Sequence, residues 1–329
     1  MRVAVIGATG MLGQHVCRAT LAGGHTLRVI YRPGSDLARL EGMDCDTVAA
    51  DLGDPAALVS ALDGIDGVVN CAAPYPRAPR PWAEEVADGL RLLEGFYDAC
   101  ERAAVGRIVY LGAAIALQRR EDGQPANEQS VSAARPHQKN AYLQLKWALD
   151  RQAVEAAAAG LPVAIGIPSM CFGEYDWGPS TGQLLVGVAS GRIRRFVPGR
   201  RNVIYAGDAG RGLLAVLEKG RPGRRYLLTG ENLTMDDLVA RMASLAGVAP
   251  PRPLSLGAAR VVSRLQHIQY RLGGPLPLLS DTALAVMAGG QYLDGARAAD
   301  ELGFLAEVPV EEALSRALAW FRAAGYLPH

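Results

Sequence analysis

Tyr142 and Lys146 stand four residues apart in Ala141-Tyr-Leu-Gln-Leu-Lys-Trp-Ala148, a spacing that puts both on one face of a helix. A phenol ordinarily gives up its proton near about pH 10, too high for a base at neutral pH. An ammonium one helical turn away favours the phenolate, and the pair then can take a proton from an alcohol or return one to a ketone. Taken alone, the pair would read as a core-facing tyrosine with a solvated lysine. Far upstream, however, Gly7, Gly10 and Gly13 follow the apolar run Val3-Ala-Val-Ile6. One glycine permits a tight turn, one lets a pyrophosphate approach the backbone, and one lets the next helix pack closely on the strand. The N-terminus of that helix then faces the anion. A dinucleotide turn combined with a phenol–ammonium pair points to hydride transfer.

These residues need a scaffold, and the chain spells one out. Apolar runs at Leu27–Tyr31, Asp44–Ala49, Gly67–Cys71, Arg107–Leu111 and Val163–Ile167 read as strands after the first. Near-continuous runs such as Arg107-Ile-Val-Tyr-Leu111 imply burial on both faces, as parallel sheets require. Between them, Trp82, Val86, Leu90, Leu93, Tyr97 and Cys100 line one face of a helix. A second helix runs from about Gln138 to Gly160, with Pro162 just beyond as a stop signal. The expected fold is α/β, a Rossmann-type doubly wound parallel sheet.

From Pro168 the alternation breaks into turn-rich pieces, then helices at Thr234–Ala246 and Val310–Ala324, with returning sheet strands at Asn202–Tyr205 and Arg225–Leu228. The pattern predicts a dinucleotide-binding domain of residues 1–167 plus about 202–229. A smaller, interleaved α/β substrate-binding lobe takes 168–201 plus 230–329.

Composition narrows the partners. Half of the 329 residues are hydrophobic and the formal net charge is +1, with no basic cluster interleaved with aromatic residues, so no nucleic acid partner is expected. The five cysteines (Cys17, Cys45, Cys71, Cys100, Cys171) have no CxxC spacing, and the five histidines lack ligand spacing, so neither a disulfide framework nor a metal site is expected. No apolar run reaches the length of a transmembrane segment, and the opening lacks a signal-peptide cleavage site. A reducing, cytoplasmic setting fits.

Six segments in order resemble the extended short-chain dehydrogenase/reductases, the NAD-dependent epimerase/dehydratase superfamily: Gly7-x-x-Gly10-x-x-Gly13, Asp51-Leu-Gly-Asp54, Asn70-Cys-Ala-Ala73, Tyr142-x-x-x-Lys146, Pro168-Ser169 and Val203-Ile-Tyr-Ala-Gly-Asp208. Gly230 to Asp237 and the ending Ala319 to Tyr326 are similar to the branch holding dihydroflavonol reductases, 3β-hydroxysteroid dehydrogenases and hopanoid-associated epimerase-like proteins. The resemblance implies that Tyr142 is the acid/base and that Lys146 also holds the nicotinamide ribose. It implies cofactor contacts from Gly7, Thr9, Gly10, Met11, Leu12, Gly13, Asp51, Leu52, Cys71, Ala72, Ala73, Pro168 and Ser169. It also implies a homodimer paired through long helices.

One departure matters. The family places Ser or Thr just after the fifth strand to hydrogen-bond the substrate oxygen, and this chain has Gly112-Ala113. Losing such a donor commonly costs about 3 to 4 kcal/mol of transition-state stabilisation. Three explanations stay open: another donor substitutes (Ser169, Ser132 or a backbone N–H beside Gly112), the substrate brings its own polar group, or redox catalysis is weak or lost. At the end of the second strand, Arg32 stands where relatives bind the 2′-phosphate of NADP, with Asp36 further on, so NADP is expected, with NAD as the alternative.

The apolar segment Val261–Leu279, followed by Ala283–Met287, reads as a pocket wall for a bulky molecule, ordinary helix core or a dimer face. Arg192, Arg194, Arg195, Arg200 and Arg201 read as holders of a second diphosphate or as a solvated rim. The expected activity interconverts a secondary alcohol and a ketone on a small hydrophobic substrate, polycyclic and sterol- or isoprenoid-like. Its specific form is a 3β-hydroxysteroid dehydrogenation linked to decarboxylation of a 4-carboxysterol. The alternatives are a nucleotide-sugar epimerase/dehydratase and a non-catalytic cofactor-sensing protein.

Overall fold

A computed structural model describes residues 1–72, 80–120, 122–131, 134–137, 140–275 and 281–327. In chain order the elements are β1 (Arg2–Ile6), α1 (Met11–Ala22), β2 (Thr26–Tyr31), β3 (Cys45–Ala49), α2 (Pro55–Ala61), β4 (Gly67–Asn70), α3 (Trp82–Arg102), β5 (Arg107–Leu111), α4 (Ala141–Ala158) and β6 (Val163–Pro168). There follow β7 (Met170–Phe172), α5 (Gly182–Ala189), β8 (Arg195–Phe196), β9 (Arg200–Tyr205), α6 (Ala206–Lys219), β10 (Arg225–Leu228), β11 (Glu231–Thr234) and α7 (Met235–Ala246). The chain continues with β12 (Arg252–Pro253), α8 (Leu256–Arg271), α9 (Asp281–Ala288), α10 (Ala296–Leu302) and α11 (Val310–Ala323).

Seven strands form one sheet in the order β10-β6-β5-β4-β1-β2-β3, every neighbouring pair parallel. Strand alternation divides the core in two. Ala4 and Ile6 of β1 face a layer built with Leu58, Phe96, Leu145 and Leu149 from α2, α3 and α4. Val3 and Val5 face a layer built with Val16, Leu213 and Leu217 from α1 and α6. Both faces are therefore covered, which is why the central strands β1, β4, β5 and β6 read as apolar runs. The order reverses between β1 and β4, and in such sheets ligands bind outside the carboxyl ends of the strands at that crevice.

The strand expected at Asn202–Tyr205 forms, but it does not return to this sheet. It is part of β9, which pairs antiparallel with β11 and parallel with β7 in a separate three-stranded sheet. Only β10 joins the main sheet, beside β6. The small sheet backs a third core of Phe172, Leu185, Leu238, Leu314 and Phe321, with α5, α7 and α11 around it. Asp208, at the end of the motif Val203–Asp208, is buried and accepts hydrogen bonds from the Glu307 and Val308 N–H groups at 2.9 Å each. That carboxylate thus pins the segment leading into α11. Asp150 of α4 is likewise buried and accepts two bonds from Arg225 Nε, at 2.9 and 3.1 Å, which locks α4 to β10.

Candidate active site

The glycine turn leaves no room for side chains at Gly7 and Gly13. Gly7 has φ +82°, and a Cβ there would lie 2.8 Å from the Ala72 nitrogen; one on Gly13 would lie 2.1 Å from the Gly7 carbonyl oxygen. Gly10 caps α1 with no side-chain hydrogen bond, and the first turn of α1 carries no acid. The free N–H groups and positive end of the helix dipole are thus left to an anion, as a pyrophosphate requires. Thr9, Met11 and Leu12 are half-buried in this turn, with the Thr9 carbonyl accepting from Arg39 Nη1 at 3.4 Å.

Beside the turn, Asn70 Oδ1 accepts from the Ala72 N–H at 3.0 Å and shapes the exit from β4. Leu52, Asn70, Ala72 and Tyr110 line a small hollow together with Leu93 of α3 and Leu149 of α4. Asp51 closes its own turn by accepting from the Gly53 N–H at 2.7 Å. Burial pushes the Cys71 thiol up to about 12, so this residue offers backbone and a neutral side chain. Ala73 and Ser132 lie outside the described residues.

Helix α4 starts where Asn140 accepts from the Leu143 N–H at 3.0 Å, a side-chain cap that fixes the first turn and hence Tyr142. Tyr142 is half-buried and Lys146 only 7% exposed, with Nζ 5.8 Å from the centre of the Tyr142 ring. Burial alone pulls the Lys146 ammonium down to about 8. The ammonium charge is thereby kept beside the phenol at a desolvation cost, an arrangement common where charge is used in chemistry.

At the position of the missing hydroxyl, Ala113 is extended backbone, and the Gly112 N–H already donates to the Gly166 carbonyl at 2.8 Å. Gly112 itself therefore has no donor to spare. Ser169, directly after Pro168 at the end of β6, is buried with its Oγ unpartnered. Its N–H is taken by the Leu228 carbonyl at 3.0 Å, so the hydroxyl is the group left over. A buried hydroxyl without a partner is costly unless a ligand completes it.

Arg32 is exposed and in no ion pair among the described residues, while Asp36 is committed to the Ala38 N–H at 3.2 Å and to Arg39 Nε at 3.3 Å. Of the five arginines grouped from the sequence, Arg192, Arg194, Arg195 and Arg200 are exposed and only Arg201 is buried. Arg201 donates to the Arg200 and Met287 carbonyls at 2.6 and 3.2 Å, and no carboxylate among the described residues pairs with it. Desolvation, with help from nearby Arg119, pulls it down to about 10. Arg119 bonds the Ala288 and Gly290 carbonyls at 3.1 and 2.8 Å, so two guanidinium groups meet at the C-terminal end of α9, which packs against α4.

With this geometry in place, residues 3–229 match the NAD dependent epimerase/dehydratase family. The chain belongs to that family. It is 44% identical to a nucleoside-diphosphate-sugar epimerase of known structure from Pseudomonas aeruginosa, with 99% of each chain covered and a TM-score of 0.88. It is 29% identical to sterol demethylase protein B of Methylococcus capsulatus, over 99% of this chain and 100% of that one. It is 21% identical to the decarboxylating sterol-4-alpha-carboxylate 3-dehydrogenase of Dictyostelium discoideum, over 92% and 95% of the two.

Two residues of this family member escaped the sequence reading. Arg39 reaches the Thr9 carbonyl across 30 positions, and Arg119 reaches α9 across about 170. Both bond backbone carbonyls, which carry no residue identity to read. Among the described residues, no cluster of histidine, cysteine, aspartate or glutamate is placed to hold a metal ion, and no helix is long and apolar enough to cross a membrane.

Proposed function

We propose that this family member is a dehydrogenase that oxidises a secondary hydroxyl on a bulky apolar, sterol-like molecule carrying a carboxylate on the adjacent carbon. The observation that carries the reading is the unpartnered Ser169 hydroxyl at the end of β6, in a site whose usual donor position is Ala113. The names of the relatives from Methylococcus and Dictyostelium support the sterol class.

A bound nicotinamide dinucleotide would supply the acceptor for the hydride of the carbinol carbon. The glycine turn, Ala72 and Leu52 would hold it, and Lys146 would hold its ribose. Tyr142 takes the hydroxyl proton, with the Lys146 ammonium lowering the cost of the phenolate. Ser169 Oγ donates to the substrate oxygen, and Arg201 with Arg119 attracts the carboxylate. Oxidation leaves a β-keto acid. Its carbon–carbon bond then breaks, carbon dioxide leaves, and the resulting enolate takes a proton from the Tyr142 phenol to give the ketone.

Arg32, which pairs with no acid among the described residues, and the nearby engaged Asp36 favour NADP over NAD as the cofactor. Titrating the protein with each reduced cofactor tests this, and tighter NADH binding would reverse it. The substrate test is NADPH formation together with carbon dioxide release from a 3β-hydroxy-4-carboxysterol, against none from the 4-methyl analogue.

A second reading has its own support. The 44% identical neighbour bears an epimerase name, and paired arginines suit a diphosphate as well as a carboxylate. It predicts interconversion of a nucleotide sugar by protein with retained cofactor, without net reduction.

A further inference from the structure

Of the segment Val261–Leu279 read as a pocket wall, core or dimer face, the part within α8 turns its large apolar side chains outward; Leu276, Leu278 and Leu279 lie outside the described residues. In α8, Val261, Leu265 and Ile268 are 56%, 61% and 55% exposed, and Leu272 just beyond is 83% exposed. At about 100° per residue, positions 261, 265, 268 and 272 fall within about 60° of one another, opposite the buried Ala259 and Ser263. Among the described residues, the stripe therefore does not fold back onto the protein. Arg260, Arg264 and Arg271 form a second exposed row along one flank of it. Between Asp237 and Asp281 the sequence contains five arginines and no aspartate or glutamate.

We infer that α8 docks on an anionic lipid surface, its apolar stripe seated among the acyl chains near the headgroups and its arginine row pairing with lipid phosphates. A basic helix with a narrow apolar face and little net hydrophobicity is the form that lies in a membrane interface. Charge decides against a second copy of the chain as the occupant. Antiparallel pairing of this face with itself would set two arginine rows on the same side, with no carboxylate in the segment to offset them. Helix α8 packs on α9, which packs on α4, so the docked face is two elements from Tyr142. A water-insoluble substrate would then enter from the surface that holds it; that use rests on the proposed function, whereas docking itself does not.

The test is co-sedimentation of the full chain with vesicles of phosphatidylcholine alone or with about one-third phosphatidylglycerol, without substrate. Binding to the anionic vesicles is expected, falling at least about fivefold on moving to high salt. The double variant Leu265→Glu with Ile268→Glu should lose binding by at least about tenfold, while its melting temperature and cofactor affinity stay those of the parent. Arg264→Glu should weaken binding to anionic vesicles only. No binding of the parent to anionic vesicles, or equal binding by the double variant, overturns the inference. So does a parent dimer that the double variant converts to monomer without any vesicle binding. Failure of the sterol assay with vesicle binding intact would sink the substrate reading alone.

Discussion

Lys146 sets the terms at the scale of single residues. Its fall from 10.5 to about 8 through burial corresponds to about 3 kcal/mol, at about 1.4 kcal/mol per tenfold change in proton affinity. Below pH 8 the folded chain carries the whole penalty of the buried charge. Between pH 8 and 10.5 the folded form sheds its proton while the unfolded form keeps it, so stability rises with pH across that window. Lys146→Met should accordingly be inactive yet more stable than the parent at pH 7, with the gap closing as pH approaches 10.5, as read from denaturant midpoints. A less stable variant at pH 7 would mean that the ammonium has favourable partners after all. Ser169→Ala should lower kcat/KM roughly a hundredfold while leaving the cofactor dissociation constant alone. An unchanged kcat/KM would return the polarising role to the substrate itself. Sequence displayed Tyr142 and Lys146 because a helix repeats every turn. It could not set Ser169 apart from the backbone beside Gly112, since only the folded hydrogen bonds show that the Gly112 N–H is taken and Ser169 Oγ is not; Ser132 lies outside the described residues.

Elements explain why the residues stay in place. In the dinucleotide turn, an added methyl at Gly13 meets backbone, which cannot swing aside as a side chain can. Gly13→Ala should cost at least about 1–3 kcal/mol and abolish cofactor binding, measured by thermal melting and fluorescence titration. Normal binding would mean that the turn can open without loss. Helix α4 depends on Asp150 and Arg225; removing the carboxylate strands a largely buried guanidinium, so Asp150→Ala should destabilise by about 3–5 kcal/mol. A loss under about 1 kcal/mol would show that water reaches the pair. Strands β1, β4, β5 and β6 were legible because burial on both faces writes an apolar run into the chain. The sheet to which β9 belongs was not, because its local pattern is that of any strand, and its partners β7 and β11 are chosen by the third core.

For the whole molecule, two cores cover the two faces of one parallel sheet, at whose carboxyl edge lie the nucleotide turn after β1 and the end of β6, while the third core carries the smaller sheet. The segment at Val261–Leu272 shows where patterning stops being informative: an amphipathic period marks an apolar face but not whether protein or a lipid surface covers it. The central claim is that the phenol at 142 exchanges the proton with the substrate. Its most direct test is Tyr142→Phe, measured for NADP(H) affinity and for turnover of a carboxysterol that the parent oxidises. The account predicts parental affinity with turnover down roughly a hundredfold to ten-thousandfold. Turnover equal to the parent's would contradict it.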